Sequence, residues 1–331
     1  MKIQETRYNN QTIFNIQIPI IKQIGFWILG FGFCLYLVSW FLVISTPALA
    51  LEQAGQDIAV LKAGVGARPL GMGGAFTAVS NNADAPYWNP AGLGFIDDNE
   101  ITSMQTKLST DADHYYVSYV RPALGGTLGI SWIQVGMGNI TETSSEVDSN
   151  NEVVNLSVFS YFSNAYMVSY GKKFGEYISF GLTAKYLTSD MFQISGGQAS
   201  GYSVTPGLLL KLPRGWSLGV KIDELLNSHV WGTGTEERVP AVLRLGLAYA
   251  KSNPGLFAID VSQTLKSGYA STAAVGYEWA KDGFSVRLGY ADGLTAGAGF
   301  VSGNARVDYA YVTQADLSRD NVHRISLSGK W

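Results

Sequence analysis

The sequence predicts an all-β chain, a transmembrane antiparallel β-barrel of about fourteen strands. Three observations predict it. Only 15% of the residues are charged and 47% are hydrophobic, yet the mean hydropathy is only +0.09, too low for a bundle of apolar helices. From position 99 onward, segments of about ten residues alternate apolar with polar or tiny side chains. Short and long connections between these segments take turns along the chain. A barrel wall produces all three, because each strand shows one face to lipid and one to the lumen. A soluble sandwich or propeller fits the composition but predicts no sorting of the turns.

Taking the elements in order, Lys22 precedes an almost uncharged run from Ile24 to Ile44, followed by Pro47 and Ala48-Leu49-Ala50. This pattern reads as a secretory signal peptide over 1–50, cut after Ala50. The run is also long enough to be an uncleaved anchor helix, and export follows either way. The single cysteine, Cys34, lies in this run, so 51–331 offers neither a disulfide nor a cysteine metal site.

The strands are expected at 99–109, 113–121, 125–138, 163–172, 176–190, 200–212, 215–224, 239–250, 255–264, 270–280, 283–291, 294–301, 304–313 and 322–331. In one of them Ile178, Phe180, Leu182, Ala184 and Tyr186 share a face, opposed by Ser179, Gly181, Thr183 and Lys185. In another, Phe284, Val286, Leu288 and Tyr290 oppose Ser285, Arg287 and Gly289. Short connections fall at 122–124, 174–175, 213–215, 252–254, 281–282 and 302–303. Long ones fall on the other parity, at 139–162, 191–199, 225–238 and 314–321. This sorting puts both chain ends on the periplasmic side. The last strand sets Ile325, Leu327, Gly329 and Trp331 on one face. It resembles the C-terminal signal read by the barrel-assembly machinery, which favours a terminal aromatic residue.

Residues 64–96 do not alternate. They contain Gly66-Ala-Arg68-Pro-Leu-Gly71-Met-Gly73-Gly74-Ala-Phe76 and then Trp88-Asn89-Pro90-Ala91-Gly92-Leu93. These two motifs resemble those of the PorV/PorQ group of outer-membrane proteins, within the wider FadL-like transporter superfamily. The resemblance implies a fourteen-strand barrel whose N-terminal segment, 51–98 here, folds into the lumen as a plug or hatch, with 99–331 forming the barrel. It places Asn89, Pro90 and Ala91 in that hatch. The residues agree with a packed, non-strand segment. Gly71, Gly73 and Gly74 permit close backbone approach or positive φ, and Asn-Pro favours a turn. Arg68 and Asp84 are expected to pair with each other, since an unpaired charge inside the lumen would be costly.

The chemistry the sequence excludes is equally informative. A net charge of −3 argues against nucleic acid. The run Gly71–Phe76 lacks the third glycine and the βαβ context of a dinucleotide loop. His114, His229 and His323 have no metal spacing and no recognisable catalytic partners. No enzyme, cofactor or metal site is expected. Charges on lumen-facing positions are Lys185, Lys221, Asp223, Arg244, Asp260, Glu278, Arg287, Arg306, Asp308 and Lys330, and they suit a mutually neutralising network.

Two functions remain. The resemblance to FadL-like transporters implies passive transport of small hydrophobic molecules across the bacterial outer membrane, in contact with its lipid, with exit through a gap in the wall. The resemblance to the PorV part of the group implies binding or shuttling of secreted polypeptides for type IX secretion. Under either reading Leu225, Leu226, Val230 and Trp231, with Val158, Phe159, Tyr161 and Phe162, would offer an external apolar surface.

Overall fold

The side-chain alternation becomes the two faces of a closed wall in the computed structural model of the chain. The structure describes residues 58–108, 111–147, 150–192, 194–250, 254–313 and 321–331. The expected signal peptide, residues 51–57 and most of the 314–321 connection lie outside them.

The strands are β1 (Glu100–Lys107), β2 (Asp113–Ala123), β3 (Gly126–Val147), β4 (Val153–Phe174), β5 (Ile178–Phe192), β6 (Gln198–Lys211), β7 (Trp216–Asp223), β8 (Leu226–Trp231), β9 (Glu236–Glu237), β10 (Val242–Ala250), β11 (Gly255–Thr264), β12 (Thr272–Lys281), β13 (Phe284–Tyr290), β14 (Leu294–Ser302), β15 (Ala305–Val312) and β16 (Val322–Lys330). Neighbours pair antiparallel around the ring, β16 closes it on β1, and β7 and β8 lie end to end along β6. The wall is therefore a closed fourteen-strand barrel, with β9 a short addition to β8. Closure leaves no free edge in the ring.

Outward positions carry the apolar side chains. Ile325, Leu327 and Trp331 are more than half exposed, while Arg324 and Ser326 on the opposite face are buried. Cross-strand register lines up Trp132, Tyr166, Tyr186 and Tyr202 in one aromatic row. Near the short turns a second set pairs Phe174 with Phe180, Trp216 with Tyr249 and Phe284 with Phe300. Two aromatic levels bounding an apolar band are the outward face of a transmembrane barrel.

Two expected loops are instead largely strand. Residues 139–147 and 153–162 extend β3 and β4 into long paired arms with register shifts after Met137, Glu142 and Thr143. Residues 225–238 hold β8 and β9. Alternation fails as a signal there because the β3–β4 extension rises past the ends of β2 and β5 and packs no core, so neither face need be apolar. Its β-branched Ile140, Thr141, Val153 and Val158 still favour extended backbone.

Candidate functional site

Residues 58–96 form short helices at Ala59–Lys62, Ala67–Gly71 and Ala85–Trp88 and a 3-10 turn at Pro90–Phe95. Elements this short leave most backbone donors and acceptors without a partner of their own. Inward-facing wall side chains supply the missing bonds. Asp260 accepts from the Phe76 and Thr77 amides at 3.0 and 2.9 Å. Ser326 accepts from the Ala67 amide at 2.8 Å. Ser179, Thr183, Ser217 and Lys221 donate to the carbonyls of Ala91, Pro86, Ala78 and Tyr87. Thr295 donates to Gly71, and Arg324 donates to Ala63 and Gly64. The segment thus packs against inward faces from β5 round to β16.

Wall glycines make room for it. A Cβ on Gly181 would lie 2.1 Å from Pro90, one on Gly219 2.2 Å from Thr77, and one on Gly289 2.3 Å from Gly73. Within the segment, Gly73 and Gly74 adopt φ of 67° and 78°, the left-handed region that favours glycine. Gly71 is needed for proximity instead, because its added Cβ would lie 3.2 Å from Gly297.

Asn89 ties the two motifs together. Its Oδ1 accepts from the Ala91 amide at 3.1 Å, and its Nδ2 donates to the Thr77 carbonyl at 2.8 Å and to Leu208 of β6 at 3.2 Å. Pro90 starts the 3-10 turn, where its missing N–H costs nothing. Trp88 donates to the Val65 carbonyl at 2.9 Å and meets Phe76 edge to face at 6.2 Å. The Arg68 guanidinium lies 5.3 Å from the Phe76 ring centre.

Arg68 does not pair with Asp84, as the sequence suggested. It forks onto Glu278 of β12 at 2.9 and 2.8 Å and donates to Asn81 at 2.6 Å. Glu278 faces it from across the lumen, a partner that local reading along 64–96 does not reach. Burial lowers the Arg68 pKa, but Glu278 outweighs it and holds the group above the usual arginine range. Asp84 accepts only from Asn82 at 2.7 Å through Oδ2, and Oδ1 has no partner. Burial pushes its carboxyl up to about 6.

The lumenal charges divide into two groups. Arg287 contacts Glu278 at 2.6 Å and Asp308 at 2.8 Å, and Arg306 contacts Asp308 at 2.6 Å, completing the Arg68 cluster. Asp223 binds Lys221 and Arg244, each at 2.8 Å, beside a Lys185–Glu224–Ser203 cluster. Lys330 lies apart, exposed, 3.8 Å from Asp98. Glu224, missed in the sequence, sits with φ 55° where β7 stops. Its identity at a strand end gave no alternation signal.

That break is a seam in the wall. β10 pairs with β7 up to Asp223 but not with β8. Asn227 bridges the interval: its Nδ2 donates to Glu224 and Val239 carbonyls and its Oδ1 accepts from the Val239 amide, all at 2.8 Å. Leu225 and Leu226 are exposed beside it. On the outer face a groove of about 720 Å³ runs across β2–β6 and is lined by Trp132, Tyr166, Tyr186 and Tyr202. Tyr202 is opposite Ser228 of β8, so the groove ends beside the seam.

The barrel shares its fold with hydrophobic-molecule channels. It resembles the toluene transporter TodX of P. putida, with TM-score 0.62 and 14% identity over 83% of this chain and 99% of that one. It also resembles the monoaromatic hydrocarbon channel CymD, with TM-score 0.58 and 13% identity over 83% and 98%. A Pseudomonas aeruginosa FadL homologue aligns with TM-score 0.54 and 11% identity over 81% and 98%. No family model matches the sequence, and no curated protein does. The likeness is therefore one of fold.

The described interior is two-sided. Charges line β7, β10–β13 and β15, with Lys185 of β5 and Arg324 of β16, whereas Met104, Tyr116, Ile133, Val135, Ala165, Met167 and Leu187 make an apolar layer on β1–β5 against Ile58 and Val60.

Proposed function

We propose that the protein is an outer-membrane channel for passive transport of small hydrophobic molecules, with residues 58–96 acting as its hatch. The apolar interior layer carries the reading. A water-filled porin gains nothing from burying Ile133, Met167 and Leu187 in its lumen, whereas a hydrophobic cargo gains a compatible surface once the hatch shifts. The seam bridged by Asn227, next to the aromatic outer groove, offers a weak point for lateral exit. Kinship of fold with channels described for toluene and monoaromatic hydrocarbons supports the same class of cargo. The secretion reading has no neighbour of that kind behind it.

The test is uptake of the hydrophobic dye N-phenylnaphthylamine by Gram-negative cells expressing the protein. Ala67→Cys with Ser326→Cys places a disulfide where the Ala67 amide now meets Ser326 Oγ at 2.8 Å. Uptake should exceed that of cells without the barrel, fall when the pair is oxidised and return on reduction. Uptake equal to the control, or unchanged by the lock, overturns the proposal.

A further inference from the structure

One step beyond the aromatic row of Trp132, Tyr166, Tyr186 and Tyr202, away from the short turns, the outward face changes chemistry. Register sets Gln105, Tyr115, Gln134, Asn164, Thr188 and Ser200 side by side across β1–β6. Their chain neighbours Met104, Ile133, Val135, Ala165 and Leu187 are buried, so these six point out of the barrel. None of them is charged. Asn164 Oδ1 accepts from Trp132 Nε1 at 3.2 Å and from Gln134 Nε2 at 2.9 Å. Among the described residues nothing in the protein takes up Asn164 Nδ2, Gln134 Oε1 or the Thr188 and Ser200 hydroxyls.

The row lies at a definite depth. Asn164 and Phe174 of β4 are ten residues apart. At about 3.3 Å per residue and a tilt of about 40° this is about 25 Å along the membrane normal, the height of a barrel's apolar band. With Phe174 beside the periplasmic turns, the polar row stands at the outer headgroups. Directly below it lies the groove of about 720 Å³. Ala184 sits between Val168 and Val204, and its single methyl leaves the floor low beneath the three tyrosines. An acyl chain that fills this hollow gains contacts that a flat wall does not offer.

The row also selects a headgroup. Its amides and hydroxyls both donate and accept, but they bring no cation to a phosphate. The next outward positions hold Asp113 and Asp190, and the nearby Lys107 contacts Asp111 at 3.3 Å. An anionic headgroup is repelled there, whereas sugar hydroxyls can donate to and accept from every member of the row. The negative faces of the aromatic rings suit the C–H face of a sugar ring.

We infer that the outer face of β2–β6 binds a glycolipid of the outer leaflet, with one acyl chain in the groove and an uncharged sugar headgroup on Gln134, Asn164, Thr188 and Ser200. The site lies outside the lumen and does not depend on the transport reading.

The test is native mass spectrometry of the full-length barrel, purified in the sugar-free detergent lauryldimethylamine oxide. It is mixed with equimolar digalactosyl diacylglycerol, phosphatidylglycerol and phosphatidylcholine of matched chains. Galactolipid adducts should exceed those of either phospholipid at least tenfold. Gln134→Leu with Asn164→Leu should bring them down to the phospholipid level. Thr188→Val, a change of nearly the same shape, should lower them threefold or more and decides the matter if the double variant does not fold. Ala184→Trp fills the groove and should lower them fivefold or more, whereas Leu288→Trp, on lipid-facing β13, should leave them unchanged. Equal retention of the three lipids, a preference for phosphatidylglycerol, or unchanged galactolipid selectivity in the folded variants overturns the inference.

Discussion

Arg68 grips Glu278 through two parallel hydrogen bonds, 2.9 Å from Nε and 2.8 Å from Nη2, joining residues 210 positions apart. Glu278 simultaneously accepts from Arg287 at 2.6 Å, so one carboxylate holds residues 58–96 and balances the wall. Glu278→Ala should therefore cost more than a surface pair, about 3–5 kcal/mol, because two buried guanidinium groups lose their partner. Adding Arg68→Met should recover part of the loss. Heat-induced band shifts of the detergent-solubilised barrel on gels measure both, and equal melting of wild type and Glu278→Ala would refute the assignment.

Gly219→Ala should impair docking of residues 58–96, since its Cβ would lie 2.2 Å from the Thr77 carbonyl oxygen, a backbone atom that has little freedom to move. Gly329→Ala is the matched control, with its nearest neighbour at 3.8 Å. Limited proteolysis should cleave residues 58–96 faster in the first variant and leave the second like wild type. Cleavage at equal rates would contradict the packing described.

Asp84 gives a pH signature. Its carboxyl is pushed from 3.8 up to about 6, chiefly by burial, so the folded state binds the proton more tightly than the unfolded chain. Its contribution to stability is then fully present below about pH 4 and is lost as pH rises through about 6, some 3 kcal/mol in all at about 1.4 kcal/mol per unit. Asp84→Asn removes this titration. The melting temperature of wild type should fall relative to Asp84→Asn between pH 4 and 7, then run parallel above it. Parallel curves throughout would rule the effect out.

Trp331 pairs with Asn99 through both backbone bonds, at 3.0 and 3.1 Å, and stacks on Tyr119 with ring centres 6.1 Å apart. Its removal should lower the fraction of heat-resistant barrel recovered from outer membranes several-fold, whereas Trp331→Phe should keep most of it. Recovery unaffected by deletion would leave the terminus as an ordinary last strand.

Asn227→Ala should open the seam, because this side chain makes two bonds to the Val239 backbone and a third to the Glu224 carbonyl. Dye uptake should rise with folded barrel yield unchanged. Unchanged uptake would move the exit route elsewhere.

The sequence by itself determined the wall. Period-two alternation is a local property, and lipid outside with packed polar groups inside enforces it residue by residue, so all fourteen barrel strands were legible from Glu100 to Lys330. The two motifs within 64–96 were equally visible as a departure from that period. Local signals failed where one face no longer had to differ from the other, in the β3–β4 extension and at Glu224. Only the tertiary structure decided the partners. Arg68 takes Glu278 rather than Asp84, and Asn89 reaches Leu208. Those pairings depend on how the ring closes around residues 58–96, and closure joins positions that no spacing along the chain connects.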